Sequence, residues 1–340
     1  MRIVVLYNTD YDDAAEIEVD AAAVRESAHA VCTALSDGGN DSELVGVHGR
    51  DVFEVLAKIR SMKPDLVFNL CESMAGDPHN EPTFSGLLDL FEIPYTGGDL
   101  ATLAACLYKD RTKDILLGRG ISTPPHRYFE RASDLDDPSL DALDYPWFVK
   151  LAEQDASVGI TEANRVSSGA ELRARVLELM SEFREPVLAE RYVEGREINV
   201  TLLGYGDSVQ VLPLHEIDFG DMPSDRPNIV SYAAKWEASH VDYVGTKPVP
   251  LRDARPELVA AIERVARATW AALGMRDYGR VDLRVDRAGT PWVIDVNPNC
   301  DISPDAGAAR AAAVAGMSFT ELICRIATLA MRRIEARRAA

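Results

Sequence analysis

Gly279-Arg280-Val281-Asp282 and Asp295-Val296-Asn297-Pro298 frame the segment whose reading decides the fold. The two aspartates stand thirteen positions apart, with Asp286-Arg287-Ala288-Gly289 between them. That tetrad is a turn signal between apolar stretches, so the segment reads as a β-hairpin. Folding it brings Asp282 and Asp295 onto neighbouring strands. Asn297, two residues past Asp295, then points to the same face. Two carboxylates and an amide oxygen beside Arg280 make a hard-cation site. Mg²⁺ accepts a few protein oxygens and takes the rest from water and phosphate. A neighbouring arginine suits developing negative charge. The plain alternative is a charged edge hairpin, and the rest of the chain argues against it.

The chain has 340 residues, enough for two or three lobes with their own cores. With 47% hydrophobic and 27% charged residues it has the composition of a globular soluble protein. No apolar run reaches the length of a membrane span. The opening MRIVVLYN enters a strand directly, without the layout of a signal peptide. The five cysteines (Cys32, Cys71, Cys106, Cys300, Cys324) are scattered, with no metal or redox spacing. A cytoplasmic protein with reduced thiols is expected. The net charge of −19 argues against a general binder of nucleic acid or acidic membrane. It leaves room for an anionic ligand in a local basic cleft.

Working back from the hairpin, residues 2–7 read as a buried strand, 19–38 as a helix, 43–47 as a strand, 51–62 as a helix and 64–70 as a third strand. This alternation predicts a parallel sheet with flanking helices. A helix over 83–91 leads to the turn Ile93-Pro94-Tyr95-Thr96-Gly97-Gly98, and a first lobe is expected over 1–108. A second, 109–190, opens with a helix carrying Lys109 and Lys113. It crosses an Asp-rich surface loop at 130–145 and contains strands at 147–150 and 187–190 around a helix at 169–184. The third, 191–340, has strands near 196–204 and 209–214, a long irregular stretch at 218–246, a helix at 255–273, the hairpin, and a helix from about Ser318. A long structureless stretch inside a compact protein points to a lid.

Lys150 ends an apolar strand and precedes the small-residue run Asp155-Ala156-Ser157-Val158-Gly159, a pairing able to grip phosphate. Glu190 and Gly195-Arg196-Glu197 place carboxylates around a short turn, where they can accept from an exocyclic amine or ribose hydroxyls. Each pattern alone is also what an ordinary strand-end lysine or a solvated acidic turn looks like.

Taken in order, Lys109-Asp110-Arg111-Thr112-Lys113, Trp147-Phe148-Val149-Lys150, Ala156-Ser157-Val158-Gly159, Glu190 with Gly195-Arg196-Glu197, Ala234-Lys235-Trp236 and the two halves of the hairpin resemble the ATP-grasp fold. More narrowly, the chain resembles the D-alanine–D-alanine ligase family. Ile93-Pro94-Tyr95-Thr96-Gly97 is similar to that family's IPYTG turn, and Ala315-Gly316-Met317-Ser318-Phe319 to its AGMSF helix start. The resemblance covers nearly the whole chain. It implies an α/β, three-lobed ATP-grasp architecture: a parallel-sheet N-terminal lobe and two lobes clasping ATP.

The resemblance also implies an activity, an ATP-dependent carboxylate–amine ligation through an acyl phosphate. Arg280, Lys235 and Ser157 form the implied catalytic set. ATP contacts fall to Lys109, Lys150, Ser157, Gly159, Glu190, Tyr192, Val193, Glu197 and Lys235, with Glu190 and the backbone near Tyr192-Val193 at the adenine and Glu197 at the ribose. Mg²⁺ (or Mn²⁺) falls to Asp282, Asp295 and Asn297. The partners implied are small-molecule carboxylate and amine substrates, and the assembly a homodimer. Two other readings keep the fold: an ATP-dependent small-molecule kinase and a non-catalytic nucleotide-binding protein. A nicotinamide dehydrogenase ranks last, because no Gly-x-Gly-x-x-Gly follows residues 2–7.

Departures from the family gather on the acceptor side. Ala156 stands where its phosphate loop carries a serine, and Trp236 where a tyrosine follows the lid lysine. Glu72-Ser73 replaces a His-Gly pair, and Asp295 replaces a glutamate. Asp305, in Ser303-Pro304-Asp305-Ala306-Gly307-Ala308, is expected to repel a carboxylate and favour an amine. The glutamate that receives the first substrate's ammonium is Glu16 or Glu18, and spacing leaves both open. Glu72, Trp236 and Asp305 complete the expected substrate set. The expectation is an intact nucleotide half and a re-specified acceptor half.

Overall fold

The computed structural model describes residues 1–10 and 18–339, without the side chains of 18–22. Strand β1 (Arg2–Asn8), helix α1 (Glu18–Asp37), strand β2 (Asp41–Val47), helix α2 (Val52–Met62) and strand β3 (Leu66–Asn69) build a parallel sheet in the order β2-β1-β3. A parallel strand covered on both faces must be apolar at every position. Ile3, Val4, Val5 and Leu6 are accordingly all 0% exposed. Ile3 and Val5 share one core with α1, while Val4 and Leu6 share another with α2. Helices α3 (Glu81–Leu90), α4 (Leu100–Leu107) and α5 (Lys109–Gly118) follow. Asp99 caps α4 by accepting from the Thr102 N–H at 3.0 Å. Tyr108 is extended, which turns α5 away from α4.

The middle of the chain forms an antiparallel sheet from β4 (His126–Phe129), β5 (Trp147–Leu151), β6 (Arg165–Val166) and β7 (Val187–Arg191), in the order β4-β7-β5-β6. Helix α6 (Gly169–Phe183) packs on it. The Asp-rich stretch 130–145, expected as a plain surface loop, holds two 3₁₀ turns that bury Leu135 and Leu140 in this core. Its aspartates do local work: Asp134 accepts from the Glu130 and Arg131 N–H groups, and Asp137 from that of Ser139.

The last sheet comprises β8 (Gly195–Tyr205), β9 (Ser208–Val211), β10 (His215–Asp218), β11 (Lys247–Pro250), β12 (Asp277–Asp286) and β13 (Pro291–Asn297). Its order is β11-β10-β8-β12-β13, with β9 beside β8. The stretch 218–246 is not wholly irregular, since it contains the short helices α7 (Tyr232–Trp236) and α8 (Val241–Gly245). Helix α9 (Pro256–Leu273) packs against the sheet, and α10 (Gly307–Val314) and α11 (Phe319–Ala339) end the chain. The sequence reading misses β4, β6, β10, β11, α4 and α10. Two prolines in the four residues of β11 weaken its strand signal, and they are tolerated because β11 is an edge strand. Helix α10 lacks a side-chain cap and is mostly alanine.

The N-terminal sheet is fastened to the C-terminal part twice. Leu322, Ile323, Ile326 and Ala327 of α11 join the core of Ile3 and Val5. A buried polar knot then sits under the 93–98 turn. Asp277 accepts from Arg333 at 2.9 and 2.8 Å and from the Gly97 N–H at 3.0 Å. Arg333 also donates to the Tyr95 carbonyl at 2.8 Å, and Arg276 to the Gly97 carbonyl at 2.6 Å. Among the described residues no single helix is long and apolar enough to cross a membrane.

Candidate active site

The hairpin forms as expected. Asp286 Oδ1 accepts from the N–H groups of Ala288 and Thr290, both at 2.9 Å, and Gly289 takes the left-handed conformation at φ +85°. The register carries a β-bulge. Leu283 pairs with Val293, yet Asp282 pairs with Asp295, so Ile294 is the extra residue. Had the register run on unbroken, Ile294 would oppose Asp282 and Asp295 would turn into the core. The bulge puts both carboxylates on one face. The Ile294 carbonyl accepts from Lys150 Nζ at 2.9 Å. On the other side of β12, Asp282 pairs with Asn199 and Arg284 with Glu197.

This face is one wall of a cavity of about 700 Å³ that also meets the central sheet and the 218–246 stretch. Lys109, Lys150, Ser157, Glu190, Tyr192, Val193, Glu197, Lys235, Arg280, Asp282, Asp295 and Asn297 all line it. Of the expected nucleotide, catalytic and metal positions only Gly159 does not. It turns the loop at φ +70°, and its carbonyl accepts from Arg175 and Asn164.

The electrostatics are those of a polyanion site held open by internal counter-charges. Lys150 sits 3.0 Å from Glu190, which also pairs with Lys113. Burial raises the Glu190 carboxyl, but the two ammoniums outweigh it and hold it below the usual range. Glu190, expected at the adenine, thus anchors two lysines. Burial likewise raises Asp295, and Lys109, Lys150, Arg280 and Lys235 together bring it below the usual range. Arg280 grips Asp282 with two hydrogen bonds, 2.7 and 2.9 Å, while Asn199 donates to Asp282 at 2.8 Å and Asn297 at 3.3 Å. Lys235 is lowered, first by burial and then by Arg280. Lys109 donates to Asp155 and to the Gln154 carbonyl, both at 2.7 Å.

Oxygen donors on facing strands, without sulfur or imidazole, fit Mg²⁺ or Mn²⁺. No group of three His, Cys, Asp or Glu side chains able to hold a metal occurs among the described residues. Asp282, Asp295 and the Asn297 amide could therefore supply only part of a metal's shell, and water and phosphate would have to complete it.

The 218–246 stretch rests on the small-residue loop. Ser157 Oγ donates to the Val230 carbonyl at 3.0 Å, the Tyr232 N–H to Ile160 at 2.9 Å, and Trp236 Nε1 to Ala156 at 3.2 Å. Ala156 and Ser157 both hold positive φ, +55° and +63°. Such conformations cost about 1–3 kcal/mol each and gather where a ligand is clamped.

The expected substrate residues fare differently. Trp236 does not line the cavity; its half-exposed indole spends its N–H on the Ala156 carbonyl. The small-residue loop and the 218–246 stretch therefore stay joined without the two hydroxyls that the sequence lacks. Asp305 does not line it either. It precedes α10 and stays exposed; Arg310, one turn into α10 and also exposed, reaches the cavity wall. Arg310 donates to the Asp305 carbonyl, and its guanidinium is lowered by burial, with Arg280 adding to that. Glu72 also lies off the cavity wall. Its side chain is solvent-exposed, with Asp301 and Asp155 as like-charged neighbours that raise its carboxyl. Burial, Glu72 and Asp155 push Glu81 up to about 8 against a hydrogen bond from Asn299. Glu16 lies outside the described residues, and Glu18 opens α1 with its side chain undescribed. Motif order missed Arg284 and Arg310. A positive residue on the Asp282 face of β12, and one in the first turn of the helix that follows the Asn-Pro segment, were the available signals.

Residues 115–328, well over half of the chain, match the family described as D-ala D-ala ligase C-terminus. This chain belongs to the D-alanine–D-alanine ligase family. Within that family it is 32% identical to a D-alanine–D-alanine ligase of Methylococcus capsulatus over 88% of this chain and 89% of that one. It is 31% identical to the uncharacterized protein y4sG of Sinorhizobium fredii, over 81% and 79%. The D-alanine–D-alanine ligase fold extends to both ends. The Bacillus anthracis D-alanine–D-alanine ligase solved with ATP superposes with a TM-score of 0.76, at 21% identity and 99% coverage of both chains. The VanG D-Ala:D-Ser ligase of Enterococcus faecalis gives 0.72, at 20% identity, covering 97% of this chain and 99% of that one.

Proposed function

We propose that this D-alanine–D-alanine ligase family member is an ATP- and Mg²⁺-dependent carboxylate–amine ligase. The observation that carries the reading is Asp295, facing Asp282 across the bulge and surrounded by Lys109, Lys150, Lys235 and Arg280 in one cavity. On this reading, residues 1–108, 109–190 and 191–340 act as three lobes. Lys109, Lys150 and Lys235 take the phosphate oxygens of ATP, Tyr192 and Val193 border its base, and Glu197 meets its ribose. Asp282, Asp295 and Asn297 would hold the metal, which when bound would neutralise charge on the phosphates. The first substrate's carboxylate attacks the γ-phosphorus of ATP, the bond to ADP breaks, ADP is the leaving group, and the carboxylate becomes an acyl phosphate. The second substrate's amine then displaces phosphate from that carbonyl. Little covalent chemistry falls to the protein in such a transfer, so positioning and charge dominate. Arg280 offsets charge on the intermediate, and the 218–246 lid keeps out the water that would hydrolyse it.

The acceptor side is the re-specified part. Arg310, rather than Asp305, gives the amine substrate an anion receiver. The Arg310→Ala variant is expected to raise KM for the amine substrate about 10–100-fold, the loss of a charge-assisted hydrogen bond, with KM for ATP nearly unchanged. Steady-state kinetics with each substrate varied in turn checks it. A homodimer in the cytoplasm accords with the family and with five free cysteines.

The test of the function is phosphate release from ATP by the purified protein, offered D-alanine and a panel of small carboxylates and amino acids. Release that needs two substrates and yields an amide supports the ligase. A stable phosphorylated product would make it a kinase, and no turnover with any pair a nucleotide-binding protein. Full D-Ala–D-Ala synthesis at ordinary substrate concentrations would keep the ligase and sink the re-specified acceptor side.

A further inference from the structure

Arg284 lies two residues past Asp282 on the same face of β12 and is only 4% exposed, yet it lines the cavity. Its Nη1 donates to Glu197 Oε2 at 3.2 Å and to the Asn228 carbonyl at 2.8 Å. Its Nη2 donates to the Gly195 carbonyl at 3.1 Å. The guanidinium also stacks 4.8 Å from the Tyr192 ring centre, and the Tyr192 hydroxyl donates to the same Asn228 carbonyl at 2.9 Å. Four parts of the nucleotide end of the cavity therefore meet on one side chain: the carboxylate Glu197, the aromatic Tyr192, the turn at Gly195, and Asn228, just before the lid residues that line the cavity. Gly195 itself admits no side chain, because a Cβ there would sit 1.9 Å from the Val285 carbonyl. The Arg284 Nε–H is buried without an acceptor. A leucine or methionine would fill this space without a stranded Nε donor, though it would leave the buried Glu197 carboxylate without its arginine partner. Arg284 is thus a costly filler unless its geometry is used.

We infer that Arg284 is a positioning residue for the nucleotide sugar. It holds Glu197 by Oε2 alone, and among the described residues no hydrogen bond goes to Oε1, which leaves that oxygen to accept from ribose hydroxyls. Through Asn228 the same guanidinium fixes the root of the lid relative to the sugar. The inference rests on Glu197 meeting the ribose.

The experiment is calorimetric titration of the full chain with ATP, 2′-deoxy-ATP and 3′-deoxy-ATP, for the parent, Arg284→Met and Arg284→Lys. The parent is expected to lose about tenfold in affinity with at least one deoxynucleotide, the worth of a hydrogen bond to a charged group. In Arg284→Met that ratio should fall to nearly one, with Arg284→Lys between, because lysine keeps the charge but not the fork. A Met variant that binds more weakly but keeps the parent's ratio would overturn the inference and leave Arg284 merely structural. A parent indifferent to both deoxynucleotides would instead overturn the assignment of Glu197 to the ribose, and the inference with it. Should Arg284→Met fail to fold, Arg284→Lys reads the same ratio and decides alone.

Discussion

Asp295→Ala is expected to lower turnover about 10²–10³-fold, the usual cost of removing one preorganised charge from a phosphoryl-transfer site, while the protein stays folded. Asp295 is the point on which Lys109, Lys150, Lys235 and Arg280 converge. Without it the proposed metal would keep one carboxylate, Asp282, and that carboxylate is already bound through both oxygens to Arg280. The four cations also lose their shared counter-charge, so the γ-phosphate would be gripped without being aligned. The fold should survive because neighbouring core positions, Val293 and Val296, are untouched. Phosphate release at saturating ATP measures the effect, and Mn²⁺ titration followed by electron paramagnetic resonance reports the metal independently. Turnover within a factor of two of the parent's would remove the cation from this face of the hairpin. Lys150→Ala should follow the same direction, because it also strips the Ile294 carbonyl and Glu190 of a partner.

Asp277→Ala is expected to cost about 3–5 kcal/mol of stability, the penalty for stranding one partner of a buried ion pair. Asp277 is 0% exposed, and both its oxygens face the Arg333 guanidinium. Its loss strands a buried arginine and leaves the Gly97 N–H without its acceptor. Alanine must also take over a left-handed backbone at φ +65° that carries no glycine. The knot joins the 93–98 turn to α11, so the N-terminal part should loosen from the rest. Urea unfolding followed by circular dichroism and by tryptophan fluorescence tests this, since Trp270 and Trp292 lie in the C-terminal part. A loss below about 1 kcal/mol would make the knot incidental and leave the α11 core as the real fastening.

Much of the architecture was legible because it follows from local chemistry. The unbroken apolar run of β1 announces a strand covered on both sides, and Ile3 to Leu6 are buried as that requires. Helix α9 was expected at 255–273 and runs from Pro256 to Leu273, with Gly274 at φ +67° closing it. The lysines at 109 and 150 end up in one cavity, as their motifs implied. The acceptor side was far less legible. Asp305 and Trp236 were chosen by their position in a motif, but which way a side chain points at a helix entry depends on where the helix begins. Helix α10 begins two residues past Asp305 and presents Arg310 instead. Arg284 escaped for a related reason: its partners Glu197, Gly195 and Asn228 are 56 to 89 residues away in the chain.

By itself the sequence determined that Asp282 and Asp295 would lie on paired strands, because the Asp286–Gly289 turn admits a hairpin and little else. Only the tertiary structure decided that the two carboxylates would share a face. Counting by twos from the turn sends Asp295 into the core, opposite the side that Asp282 occupies. One extra residue at Ile294 reverses that, and it is held where the Lys150 ammonium from another sheet takes up the Ile294 carbonyl. A bulge of this kind disturbs the ladder locally and is set by contacts made across the fold, so no local pattern in residues 282–295 announces it.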